Sequence, residues 1–189
     1  MVELPHWDPR IVELPDYLLE RAIAVGRTRH LLAVRRGQKD SFRKDSEANH
    51  IMGACGEAAF CFMYGIVWDE TFDTFGTVPD QQPDWEIRTT TSLDYLKVRR
   101  AKPPYNDDPT RRVTFVRKLD ENRWLVLCRY ILAGDAQKAY PLTDPGDRGR
   151  PAHFVPLEDL KRITDIVHTI HVWWPDGNRY RCIFGGELT

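Results

Sequence analysis

No stretch of this sequence stays apolar for the roughly 18 residues that a membrane-crossing helix requires. The opening residues, Met1 to Arg10, also lack the basic-then-apolar order of a secretory leader. A cytoplasmic protein without a membrane partner is the expectation. Cysteine is scarce too: Cys55, Cys61, Cys128 and Cys182 stand far apart, with no CxxC spacing. That argues against a disulfide framework and against a structural zinc site, and leaves buried free thiols. Charge of neither sign dominates. With a net charge of −1, the whole molecule is no general polycation, so a polyanion would have to be held by local patches.

What is present has the texture of a folded domain. Hydrophobic residues make up 42% and charged residues 29%, which excludes both a disordered chain and a membrane bundle. A chain of 189 residues can bury one core unaided, and no internal repeat or long linker divides it. One domain over 1–189 is expected. Basic residues gather in two places, Arg27 to Lys44 and Lys97 to Lys118, the second including Lys97, Arg99, Arg100, Lys102, Arg111 and Arg112 and diluted only by Asp107 and Asp108. A charge run of this kind is most often a solvated face.

Helical spacing of Leu18, Leu19, Ala22, Ile23, Leu31, Leu32 and Val34 predicts a first helix over 16–36, capped by Asp16 and interrupted near Gly26. A second helix is predicted from an Asn49 cap to Gly65. Its Gly53, Ala54, Gly56, Ala58 and Ala59 would admit another backbone closely, which makes Glu57 an odd charge on a buried helix. Beyond Trp68 the sequence is aromatic, Thr-rich and punctuated by Pro and Gly, and predicts strands over 72–78, 85–91, 95–100, 113–118 and 124–132. The stretch 133–142 reads equally as helix or strand, 143–152 reads as loop, and Pro156 opens a short helix. Pro175-Asp176-Gly177-Asn178 predicts the turn of a C-terminal β-hairpin over 166–184. Helices followed by a mixed sheet define an α/β fold.

The chemistry concentrates in Val78 to Thr91, VPDQQPDWEIRTTT. Strand alternation sends Glu86 and Arg88 to one face and Trp85 and Ile87 to the other. A turn near Pro83 would carry the Asp80 carboxylate alongside Glu86; Asp84 is the alternative. Two converging carboxylates repel unless a cation lies between them, and a hard divalent ion such as Mg²⁺, with Mn²⁺ as substitute, suits oxygen ligands. Such an ion beside an arginine is equipped for hydrolysis of a phosphodiester. Without an ion, the same residues would form an ordinary ion-pair ladder. His168 and His171 fall on opposite faces of a strand, so a shared metal there is not expected. Trp173, Trp174, Tyr180 and Phe184 read as packing residues.

Taken in order, Gly56-Glu57-Ala58 on a helix, Pro79-Asp80, Glu86-Ile87-Arg88-Thr89-Thr90, the strand from Leu93 to Val98 and Val113-Thr114-Phe115-Val116 resemble the PD-(D/E)xK nuclease superfamily. Within it they are similar to small phage-type proteins with an acidic-x-Arg-Thr strand. The resemblance covers about 49–160. It implies a restriction-endonuclease-like mixed central sheet flanked by helices, and a metal-dependent nuclease acting on nucleic acid, DNA first. Asp80 and Glu86 would be the metal ligands with the Ile87 carbonyl, and Glu57 the acid that completes or orients the site. Arg88 would clamp phosphate, and the basics from Lys97 to Arg112 would meet the nucleic-acid backbone. Arg88 stands where the superfamily has lysine, and arginine does not deprotonate, so it serves as clamp and not as base. Two other readings stay open: a catalytically inactive nuclease-fold phage accessory protein that binds nucleic acid or a protein partner, and a structural protein pairing through the C-terminal hairpin. A homodimer is compatible with each of them.

Overall fold

The computed structural model describes residues 10–37, 46–72, 79–81, 84–92, 94–100, 107–145 and 151–163, and the backbone of 170–173 and 179–182. In chain order come β1 (Arg10–Glu13), α1 (Asp16–Arg35), α2 (Ser46–Tyr64), β2 (Trp85–Thr90), β3 (Leu96–Arg99), β4 (Arg112–Lys118), β5 (Arg123–Val126) and β6 (Arg129–Leu132). Then follow α3 (Ala133–Ala139), β7 (Leu142–Thr143), β8 (Ala152–Val155), a 3-10 turn at Leu157–Asp159, β9 (Lys161–Arg162), β10 (Ile170–Trp173) and β11 (Arg179–Cys182). The architecture is mixed α/β.

β4 is the axis of the main sheet because its Val113, Thr114, Phe115 and Val116 are buried in a row, as a strand covered on both faces must be. β2 runs parallel along one of its edges, with Glu86 beside Val113 and Arg88 beside Phe115. Along the other edge lie β5 and β6, both antiparallel to β4. The single strand expected over 124–132 is therefore two. The register slips between Val116↔Val126 and Val113↔Ile131, and the Thr114 hydroxyl spans the break by donating to the Arg129 carbonyl at 2.7 Å. β1 extends the sheet beyond β5, and β9 beyond β6. A second sheet, β3-β8-β7, and the antiparallel pair β10-β11 stand apart. The turn of that C-terminal hairpin lies outside the described residues.

Two apolar clusters cover the main sheet. On one face α1 and α2 pack Ala22, Val25, Ala58, Phe60 and Cys61 against Trp85, Ile87, Val116 and Trp124. On the other, Leu96, Val98, Val155 and Ala136 close over Val113, Phe115 and Ile131. The helices come unusually near. A Cβ on Gly26 would lie 2.4 Å from the Ile51 Cα, and one on Gly56 would lie 2.1 Å from the Thr89 Oγ1. Gly26 thus marks a contact of α1 with α2, and α1 runs through it unbroken.

Several boundaries differ from expectation for local reasons. Pro15 occupies the N-cap of α1 and Asp16 is already helical, making no side-chain cap bond. α2 begins at Ser46, before Asn49, and ends as expected at Gly65, whose φ of 62° suits glycine. The buried stripe of α1 is Ala22, Val25, Gly26, Arg29 and Ala33, while Leu31 and Val34 are exposed. Of the ambiguous 133–142, Ala133–Ala139 is helix α3 and Leu142 opens β7, which runs into the expected loop at Thr143, and only a 3-10 turn follows Pro156. β1 was not foreseen. Of the strand expected over 72–78, Phe72 lies in a bend and the rest lies outside the described residues.

Candidate functional site

Glu57 projects from the buried side of α2 and has 3% of its surface exposed. A lone carboxylate there would be costly. Arg29 of α1, itself 8% exposed, answers it with two parallel bonds, Nη1 to Oε1 at 2.6 Å and Nη2 to Oε2 at 2.7 Å. Its Nε donates to the Thr71 carbonyl at 2.9 Å. This is the fork geometry that lysine cannot supply.

Before β2 the chain doubles back. Gln81 and Trp85 exchange backbone bonds, Gln81 N–H to the Trp85 carbonyl at 3.1 Å and Trp85 N–H to the Gln81 carbonyl at 2.9 Å. The Gln81 amide is buried and held at both ends: it donates to the Val67 carbonyl and accepts from the Asp69 N–H and the Cys61 thiol. So anchored, the neighbouring Asp80 carboxylate accepts the Ile87 N–H at 2.8 Å, on the edge of β2 away from β4. Asp84 is committed elsewhere, as the ion-pair partner of Arg112.

Glu86 and Arg88 share the face of β2 that carries their register partners Val113 and Phe115. Glu86 is 6% exposed and has a guanidinium on each oxygen, Arg88 Nη1 at 3.2 Å from Oε1 and Arg111 Nη1 at 3.0 Å from Oε2. Arg88 also donates to Asp107, a fully buried residue whose other oxygen accepts the Arg99 N–H at 2.7 Å. Gln137 of α3 holds the Asp107 carbonyl at 2.9 Å. Sequence reasoning counted Asp107 only as a dilution of the basic run and missed its place in the site, since it sits in a loop with no periodicity and Arg88 and Gln137 lie 19 and 30 residues away.

The three carboxylates singled out in the sequence repel one another. Burial raises the Glu57 carboxyl, the Arg29 guanidinium opposes this, and Glu86 adds to the rise. Burial and then the Glu57 charge push Asp80 up to about 6, against Arg88 and the Ile87 N–H. Glu86 is raised by burial and by Asp80 and Asp107, while Arg88 and Arg111 pull it down. Hence Glu57 on α2, Asp80 on the returning segment and Glu86 on β2 belong to one electrostatic cluster. Arg99 feels the same cluster from its rim: the Arg88 charge above all lowers it.

For a hard divalent ion, the donor chemistry suits Asp80 and Glu86. Glu57, with both oxygens on Arg29, is placed to orient the site. Among the described residues no group of three or more His, Cys, Asp or Glu is disposed to hold a metal, and an ion at Glu86 would have to share it with Arg88 and Arg111. Of the basic residues expected to meet nucleic acid, Lys97 and Arg99 point outward from β3, Arg100 is half-buried, and Lys102 lies outside the described residues. Arg111 is buried on Glu86 and Arg112 is tied to Asp84, so both serve the interior. Cys55 and Cys61 are buried free thiols, and burial pushes Cys55 up to about 11, which makes it a poor nucleophile.

The Asp80 shift has a measurable sign. In the folded protein its pKa lies near 6, above the ordinary 3.8, so between those values the folded state holds a proton that the unfolded state lacks. Stability should therefore rise as pH falls from about 7 to about 5 in metal-free buffer, by no more than about 1.4 kcal/mol. Screening trims this, because Asp80 is partly open to solvent. Thermal melts across that range check it. A flat or falling Tm, or a rise undiminished in Asp80→Asn, would contradict the assignment.

Compared with known proteins, the chain matches no family model, no curated protein and no solved structure. Among the described residues, no helix is long and apolar enough to cross a membrane.

Proposed function

We propose that this protein is a metal-dependent nuclease of restriction-endonuclease-like fold, hydrolysing phosphodiester bonds of nucleic acid in the cytoplasm, with DNA the first candidate. One observation carries the reading: Glu57, Asp80 and Glu86, from three separate elements, lie within electrostatic reach of one another, two of them buried and Asp80 half-buried, with Arg88 beside them. Repelling buried carboxylates are the arrangement a hard cation relieves. Asp80 and Glu86 would hold the ion, Mg²⁺ or Mn²⁺, and Arg29 would keep Glu57 and the end of α2 in position behind them. Bound there, the metal would supply Lewis-acid polarisation of a phosphoryl oxygen. Arg88, permanently charged, would bind a non-bridging phosphate oxygen and stabilise charge developing on it. Lys97 and Arg99, outward on β3, would take flanking phosphates.

The test is cleavage of single-stranded DNA, double-stranded DNA and RNA in Mg²⁺ and in Mn²⁺. Asp80→Asn and Glu86→Gln, which keep size and shape, should each lower the rate on the order of 100-fold or more. The proposal fails if the wild-type protein leaves all three substrates intact in both metals. The guanidinium groups on Glu57 and Glu86 favour a second reading, a catalytically silent phage accessory scaffold of the same fold that binds nucleic acid or a protein partner. Affinity for a polyanion that is indifferent to metal and to Glu86→Gln would select it.

A further inference from the structure

Arg88 occupies the place in the acid cluster where an external cation would be most stable. One guanidinium nitrogen meets Glu86 Oε1 at 3.2 Å, the other meets Asp107, and the Asp80 carboxylate lies along the same strand through its bond to Ile87 N–H at 2.8 Å. Its Nε is buried without a hydrogen-bond partner, although an arginine held for structure alone would ordinarily use that donor. A guanidinium and a divalent ion cannot both sit against one carboxylate oxygen without strong repulsion. From Arg88's position between Glu86 and Asp107 we infer that this side chain is a built-in cation that plugs the Asp80–Glu86 site, so that a divalent ion binds only when Arg88 is drawn away.

The exit lies toward solvent, where the Arg88 side chain keeps 19% of its surface and the exposed Arg99 stands. A phosphate diester arriving at that rim is the natural lure, since its non-bridging oxygens can accept the guanidinium in place of the single Asp107 oxygen that Arg88 now meets. Metal and polyanion would then bind with positive coupling, each favouring the state in which Arg88 has left Glu86. The inference rests on Asp80 and Glu86 being the metal ligands.

The experiment is calorimetric titration of the full-length protein with MnCl₂, without nucleic acid, on wild type and Arg88→Met. Methionine keeps much of the volume and removes the charge; Arg88→Gln serves in its stead if the methionine protein does not fold. The variant is expected to bind Mn²⁺ about tenfold or more tightly than wild type and to show a larger upward shift of Tm with Mn²⁺. The gain should vanish when Asp80→Asn is added. Equal or weaker Mn²⁺ affinity in the variant overturns the plug while leaving the two ligands in place. A gain that survives Asp80→Asn overturns it also, by locating the ion elsewhere. Absence of Mn²⁺ binding in both proteins removes the ligand assignment, and the plug with it.

Discussion

Arg29→Ala is expected to lower the stability of the folded protein by about 3–5 kcal/mol, the usual consequence of leaving one charge of a buried pair uncompensated. Both Glu57 oxygens lose their Arg29 donors, leaving at most the Trp68 indole beside them, and the Thr71 carbonyl loses the Nε–H. Glu57 is 3% exposed, so water cannot replace them without opening the seam between α1 and α2. The protein's recourse is to protonate Glu57, which burial already favours. A carboxyl raised further above its unfolded value penalises folding at neutral pH and less so as pH falls, so the deficit should shrink from pH 7 toward pH 5. Removing the charge from both partners, as in Arg29→Met with Glu57→Gln, should recover much of the loss. Urea unfolding at both pH values measures it; a deficit below about 1 kcal/mol at pH 7 would mean that the pair is a surface-type bridge.

Arg29 also shows how much the sequence could reveal. Its charge placed it in a basic run from Arg27 to Lys44, yet Ala22, Val25, Gly26, Arg29 and Ala33 follow helical spacing, and small residues on either side of an arginine are a sign of a guanidinium buried between backbones. Of the apolar residues weighed there, Ala22 is buried and Leu18, Leu19 and Ile23 pack against the core, but Leu31 and Val34 are exposed. Glu57 was legible for the converse reason, being the one charge in the small and apolar stretch from Ile51 to Tyr64. Strand alternation was sufficient to put Glu86 with Arg88 and Trp85 with Ile87, because a parallel strand covered on two faces leaves no freedom of register. The pairing of carboxylates with particular arginines was not legible. Apart from Glu86 with Arg88, those partners lie 19 to 28 residues apart in the chain, and they meet only through the close packing of α1 on α2 and the pairing of β2 with β4. The bulge between β5 and β6 was hidden for a similar reason: Leu127 and Cys128 are as apolar as their neighbours, and the two-residue slip answers to Thr114 across the sheet.

Asp107→Ala is expected to be nearly as damaging, again about 3–5 kcal/mol at pH 7, although nothing in its local sequence announces it. The side chain joins β2 through Arg88 to β3 through the Arg99 N–H, and its backbone carbonyl is held by Gln137 of α3. It thus fixes the second sheet against the first at the rim of the acid cluster. Burial alone would raise its carboxyl, but the Arg88 charge and the Arg99 N–H outweigh burial and hold it below the ordinary 3.8. Its contribution is therefore present above pH 4 and is lost as pH falls through the lower folded value, opposite in sign to that of Asp80. Wild-type stability should accordingly climb from pH 7 to about pH 5 and then fall steeply below about pH 4. Asp107→Asn keeps an acceptor for the Arg99 N–H but cannot balance Arg88, so it should lose less than the alanine variant. In both, the deficit relative to wild type should narrow as pH falls below the ordinary carboxylate value of 3.8, where the charge of Asp107 contributes progressively less. Urea unfolding across pH 3 to 7 is the measurement. A deficit that stays constant over that range would show that Asp107 acts through shape and backbone contacts, with its charge immaterial to holding Arg88.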